Sequence, residues 1–204
     1  MPKIVDSAAR RIEIAEAVYR VIRRDGLAQA SLRGVAVEAG LVVGSIRHYF
    51  VSHDELILFA VRILVERVLV RLYAHVEELK APASTREKRM ELTERLLGEL
   101  LPLDAERLAE TEVWLAFSAV ARTKPKLAED TAKVPKGTRA LVKRLLTEAA
   151  RGGNLIKKLD VDLETERLAV LLEGLAMAAT DRPEHTSPEL MVRVLRRHLD
   201  SLRR

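Results

Sequence analysis

The chain has 204 residues, no cysteine, seven prolines and nine glycines, with 48% hydrophobic residues and a formal net charge of +5. That composition excludes a disulfide scaffold, a thiolate-ligated metal centre and a collagenous or disordered chain. The longest stretch without a charge, residues 113–121, is too short to span a bilayer. No apolar run precedes a small-residue cleavage site near the N-terminus, so the expected compartment is the reducing cytoplasm. A basic excess of this size permits a nucleic-acid partner without requiring one.

In residues 7–24, apolar side chains recur at Ile12, Ala15, Val18, Val21 and Ile22, the spacing of an amphipathic helix, and Gly26 is placed to end it. Two short helical segments follow, residues 32–39 and 43–49, with Gly40 between them. Ser52-His53-Asp54-Glu55 reads as a capping box in which Ser52 accepts from the Glu55 N–H and Glu55 reaches back. Val51 and Leu56 hold the positions of the accompanying hydrophobic staple. A long helix is expected from there to about Lys80, apolar over most of its circumference and therefore sandwiched between other helices. Pro82 ends it, and Ser84-x-x-Glu87 opens a helix to about Leu101. Asp104 caps a helix carrying Trp114 and Phe117. Residues 125–151 read as helical with an interruption at Pro135 and Gly137 and a stop at Gly152-Gly153-Asn154. Asp160 or Asp162 caps the next helix, and Ser187-Pro188 opens the last. The expected fold is all-α, about nine helices.

Residues 31–56 carry the most specific pattern. Two short helices joined by a tight glycine turn are the layout of a helix-turn-helix. Val35, Ala36 and Ala39 can pack on Ile46, Tyr49 and Phe50, and Gly40 supplies the left-handed residue of the turn. The second helix then presents Val43, Gly44, Ser45, Arg47 and His48 outward, where a recognition helix meets base edges and phosphates. At Gly44 a phosphate or sugar can approach the backbone. The Tyr49 ring belongs to the core while its hydroxyl can reach a phosphate.

This stretch resembles the DNA-binding segment of the TetR-type family of bacterial regulators, through Ser31, Ala36, Ala39-Gly40, Gly44-Ser45, His48-Tyr49-Phe50 and Asp54-Glu55-Leu56. Around Glu112 to Phe117, and from Thr186-Ser187-Pro188 to His198-Leu199-Asp200, the chain is similar to the branch typified by the choline-responsive repressors. The resemblance implies a DNA-binding domain over 1–54 and a ligand-binding and dimerisation domain over 55–204. It also implies a homodimer on a palindromic operator, with half-sites about 34 Å apart, released by a small-molecule effector. The DNA contacts it implies are Ser31, Arg33, Val43, Gly44, Ser45, Arg47, His48, Tyr49 and His53. The chain departs from the family at four places. Val42 stands where Ser or Thr is common, so the recognition helix lacks its hydroxyl cap; Val43 replaces Lys or Pro, Arg47 replaces Tyr, and His53 replaces Lys. Arg47 suits either a guanine or a phosphate, and Val43 offers only apolar contact, for example to a thymine methyl.

Residues 168–179 hold a single charge, Glu173, among small residues. Such a helix is expected at an interface between chains, formed by Leu168, Leu171, Leu172, Gly174, Leu175 and Ala178 with Met191, Leu195 and Leu199; the alternative is a central core helix. Trp114 and Phe117, with Met90, Leu97 and Met177, line an effector pocket or are plain core. Glu110 and Glu112 are the nearest candidates for holding a cationic effector, and both read as solvated. The histidines show no metal-ligand spacing, and no cofactor is expected. No nucleophile elbow, phosphate-binding loop or HExxH occurs, so no enzymatic activity is expected. The competing reading is a helical small-molecule-binding or interaction protein without DNA binding.

Overall fold

The structure is a computed structural model describing residues 7–80 and 85–203. The described residues form nine α-helices: α1 (Ser7–Asp25), α2 (Leu32–Glu38), α3 (Val43–Tyr49), α4 (His53–Lys80), α5 (Arg86–Gly98), α6 (Ala105–Ala121), α7 (Pro125–Arg151), α8 (Val161–Asp181) and α9 (Pro188–Ser201). Single 3-10 turns, Leu27–Gln29 and Pro183–His185, precede α2 and α9. An isolated bridge between Leu155 and Arg203 is the only β pairing among the described residues. The fold is all-α, as expected.

Helix starts follow the capping chemistry. The hydroxyls of Ser31, Ser52 and Ser187 accept from the backbone N–H of Gly34, Glu55 and Leu190, at 3.1, 3.1 and 3.3 Å. Asp104 and Asp160 accept from Arg107 and Leu163 in the same way, so Asp160 rather than Asp162 caps α8. Three expectations need correction. Helix α5 is capped by Thr85, which accepts from the Lys88 N–H at 3.2 Å, one residue after the expected Ser84; Pro82 and Ser84 lie outside the described residues. Val51 is 89% exposed and staples nothing, and the Glu55 carboxylate accepts from the Val51 N–H at 2.8 Å instead of that of Ser52. Helix α7 runs unbroken through Pro135 and Gly137, because losing one rung leaves the rest of a 27-residue helix in place. It ends where expected, with Gly153 left-handed and the Asn154 N–H on the Ala149 carbonyl at 3.0 Å.

The chain forms two compact units, cut differently from the division at 54/55. One holds the described residues up to Arg67 together with Glu112–Ala128, and the other holds Val68–Thr111 and Glu129 onward. In the first, α1 buries Ile14, Ala15, Val18, Val21 and Ile22, a continuous stripe that leaves the expected Ile12 outside and exposed. Gly34 of α2 sits against the Leu27–Gln29 turn so closely that a methyl group there would collide with the Gln29 carbonyl oxygen.

In the second unit, Leu168 and Leu172 of α8 join Met191, Leu195 and Leu199 of α9, with Leu96 and Leu97 of α5, in one core. Those five α8 and α9 residues, expected at an interface between chains, are therefore interior to a single protomer. Helix α8 has a second apolar face: Leu163, Val170 and Met177 are more than half exposed, Gly174 is exposed beside them, and Leu171, Leu175 and Ala178 lie half-buried at its margins.

Gly34→Ala is expected to lower unfolding stability by about 1–3 kcal/mol through overpacking. Gly44→Ala, where the added methyl meets open space, should change it by less than ~1 kcal/mol, in the stabilising direction. Urea unfolding of the two variants side by side checks both.

Candidate nucleic-acid interface

The connection between α2 and α3 is fixed by Gly40, with φ +65°. Around it the Leu41 N–H reaches the Ala36 carbonyl at 2.9 Å and the Gly40 N–H reaches that of Val37 at 3.2 Å. These two bonds close α2 and turn the chain into α3 within three residues. Val35 and Ala36 of α2, and Ile46 and Phe50 at α3, are fully buried. Burial of that side fixes which side faces out. Arg33, Gly44, Arg47 and His48 are exposed; Val43, Ser45, Tyr49 and His53 are half-buried. The His48 and Tyr49 rings meet edge-on with centroids 5.2 Å apart. No side chain caps α3: Val42, in extended conformation and 72% exposed, accepts from the Ser45 N–H at 2.9 Å only through its backbone carbonyl. Ser31 is committed to capping α2.

Charge separates the structural arginines from the available ones. Arg20 and Arg24 of α1 both hold Glu38 of α2, at 2.6 and 2.8 Å, and keep its carboxyl below the ordinary range. Arg10 pairs with Glu13, Arg11 lies 3.8 Å from Glu55, and Arg23 pairs with Glu112 of α6 at 3.3 Å. Arg33 and Arg47 have no carboxylate partner among the described residues, and both point to solvent on α2 and α3. Of the residues expected to touch DNA, these two hold their charge free for an anion.

The start of α4 is tied in three ways. The Tyr19 hydroxyl donates to the Ala60 carbonyl at 2.5 Å, Arg67 pairs with Glu16, and Lys124 after α6 pairs with Asp54 at 2.6 Å. The Lys124 hydrogen bond holds the Asp54 carboxyl below the usual aspartate range. Sequence pattern revealed none of these, because each joins residues 41 to 70 positions apart.

The expected effector residues do not share one unit. Trp114, half-buried, and Phe117, buried, belong to the first, with ring centroids 6.3 Å apart. Met90, Leu97 and Met177 belong to the second, where Leu97 is core, Met90 packs on that core and Met177 is exposed. Glu110 is not solvated as expected. Arg71 of α4 grips both its oxygens at 3.1 and 2.5 Å while bonding Glu99 at 2.9 Å. Arg107 and His75 also approach Glu99, at 3.3 and 3.4 Å. Glu112 remains partly exposed beside Arg23.

Residues 89–204 match the family model described as the BetI-type transcriptional repressor, C-terminal domain. The HTH-type transcriptional regulator PksA of Bacillus subtilis (strain 168) is 35% identical over 202 residues, 99% of this chain and 94% of that protein. The chain belongs to the TetR family, with a BetI-type C-terminal domain. A crystal structure of a transcriptional regulator from Rhodococcus sp. Rha1 superposes on this TetR-family chain with a TM-score of 0.79 at 29% identity, covering 94% of this chain and 95% of that one. The fold is shared, at 22% identity and a TM-score of 0.80, by a regulator from Saccharomonospora viridis in complex with choline, with 95% and 96% of the two chains covered. The protein is thus a TetR-family transcriptional regulator and not an enzyme.

The Lys124–Asp54 pair yields a pH-dependent expectation. Because the folded Asp54 pKa lies below its unfolded value, its contribution is present above that unfolded value, near 3.9, and is lost as pH falls through the folded one. Lys124→Met should therefore melt below the parent protein at neutral pH, and the gap should close under acid conditions below about pH 4. Thermal unfolding across a pH series measures it.

Proposed function

We propose that this regulator is a cytoplasmic homodimeric repressor that binds a palindromic operator through α3 and is released by a small-molecule effector. The observation that carries the DNA contact is the pair of unpartnered cations, Arg33 and Arg47, beside His48 on the outward side of α2 and α3. Ser31, Val43, Gly44, Ser45, Tyr49 and the start of α4 at His53 complete the proposed contact surface. For the dimer, the exposed apolar face of α8, with Leu163, Val170, Gly174 and Met177, is the surface that a second copy would cover, joined by Leu190 of α9. Leu171, Leu175 and Ala178 form its rim.

The effector must prefer the conformation that does not bind DNA, and operator DNA must weaken effector binding by the same factor. The choline held by a regulator of the same fold makes a small quaternary ammonium the first candidate. In this chain Glu110 is already neutralised by Arg71. A cation would therefore rely on the half-buried ring of Trp114, with Phe117 packed beside it, rather than on Glu110.

A gel shift on DNA upstream of its own gene should show a retarded palindrome whose affinity falls linearly in log–log with salt. Absence of any shift at low salt would remove the repressor reading for that promoter. Arg47→Ala should cost about 1–3 kcal/mol at one base pair if it reads a base; a uniform loss with a salt slope smaller by about one would mark a phosphate contact.

Val170→Glu should give a folded monomer by sedimentation with weakened operator binding. Leu168→Glu, placed in the protomer's own core, should unfold the chain instead.

A further inference from the structure

We infer that Arg11 is a positioning residue for DNA recognition: its guanidinium, seated over the Phe50 and Phe59 rings, sets the angle at which α3 leaves α4. The inference rests on the DNA-binding reading of α3. Arg11 projects from α1, its central carbon 4.7 Å from the Phe50 ring centroid and 4.5 Å from that of Phe59, with the two rings tilted and 5.3 Å apart. Phe50 closes α3 and is completely buried; Phe59 lies on the second turn of α4. One cation therefore touches the helix that reads DNA and the helix that carries it. A third contact orients the cation, because Glu55 lies 3.8 Å from its terminal nitrogen. The Glu55 carboxylate also accepts from the Val51 N–H at 2.8 Å, which holds it beside the end of α3, and its own N–H donates to Ser52.

The chemistry suits arginine in particular. A guanidinium is weakly hydrated and planar, so it can lie flat on aromatic faces, whereas an ammonium keeps its water. Its Nε is buried without a hydrogen-bond partner, so one donor is left unsatisfied where an apolar side chain would leave none. Retention of that cost is explained if the contact fixes direction as well as filling space. Arg11 differs here from Arg20 and Arg24, whose carboxylate partner lies on α2, and from Arg33 and Arg47, which have none.

The test compares two duplexes, a palindrome recovered by selection from random DNA and a scrambled duplex of equal length, for the parent protein, Arg11→Met and Arg11→Lys, well below each melting temperature. Arg11→Met should bind the palindrome about tenfold more weakly, the loss of one part-buried cation–π contact. Its affinity for the scrambled duplex and its salt slope on both should stay unchanged, and Arg11→Lys should recover part of the loss. Equal weakening on both duplexes with an unchanged slope would mean only a smaller folded fraction and would overturn the inference. Equal weakening with a slope smaller by about one would make Arg11 a phosphate contact and overturn it too. If no duplex is enriched for the parent protein, the DNA-binding reading itself fails, and that failure is visible before any variant is made.

Discussion

A helix of seven residues cannot hold its own shape in water, since nucleation costs more than so few hydrogen bonds return. Helix α3 is such a helix, and it also lacks a side-chain cap. Its existence depends on burying one side, Ile46 and Phe50, against α1, α2 and the start of α4. Everything that makes α3 useful follows from that constraint. The inward side must be apolar and completely covered, so the outward side is left to Gly44, Arg47 and His48. The close approach that covers it is made possible by small residues elsewhere, Ala36 at the contact and Gly34 where α2 meets the preceding turn. Stability and presentation of the reading surface are thus one property of the same packing.

The charges are arranged around that packing in a way the net charge conceals. Most arginines of α1 are consumed in bonds to Glu13 on the same helix, to Glu38, which ties α1 to α2, and to Glu112, which ties it to α6. Exposed pairs of this kind contribute little each, but they have a second effect: among the described residues they neutralise four of the five arginines of α1, whereas Arg33 and Arg47 of α2 and α3 have no carboxylate partner. In the second unit Arg71 serves α4 in a similar manner, gripping Glu110 of α6 and Glu99 after α5 in a more buried setting. Helix α4 is therefore bound to α6 or to the turn that follows it at both ends, through Asp54–Lys124 in one unit and Arg71–Glu110 in the other.

Local chemistry explains what could be read from the sequence. Ser31, Gly40, Ser52, Asp104, Asp160 and Ser187 act through backbone groups three to five residues away, so their roles are written in short stretches of chain. Thr85 shows the limit of that logic: adjacent hydroxyls at 84 and 85 satisfy the same rule, and only the geometry of the first turn chooses. Gly34, Arg11 and Lys124 were illegible for a different reason. Their partners are a distant carbonyl, two rings and a carboxylate, brought near only when the helices pack. The direction of α8 was illegible for a third. Leucines at 168 and 172 and apolar residues at 163, 170 and 177 announce two apolar faces, but periodicity cannot say which one packs in the core of its own protomer.

That two-sidedness bears on regulation. In the proposed dimer, a helix whose inner side is core and whose outer side meets a second copy would pass displacement directly between protomers, because close-packed interfaces shift between discrete arrangements rather than deform. Gly174 and the small residues around it favour close approach, so a small change in how α8 meets its counterpart is not absorbed by long side chains. The reading helix is held with similar stiffness by buried Phe50 and its cation. In the proposed mechanism an effector need only supply enough differential affinity for the conformation that does not bind DNA.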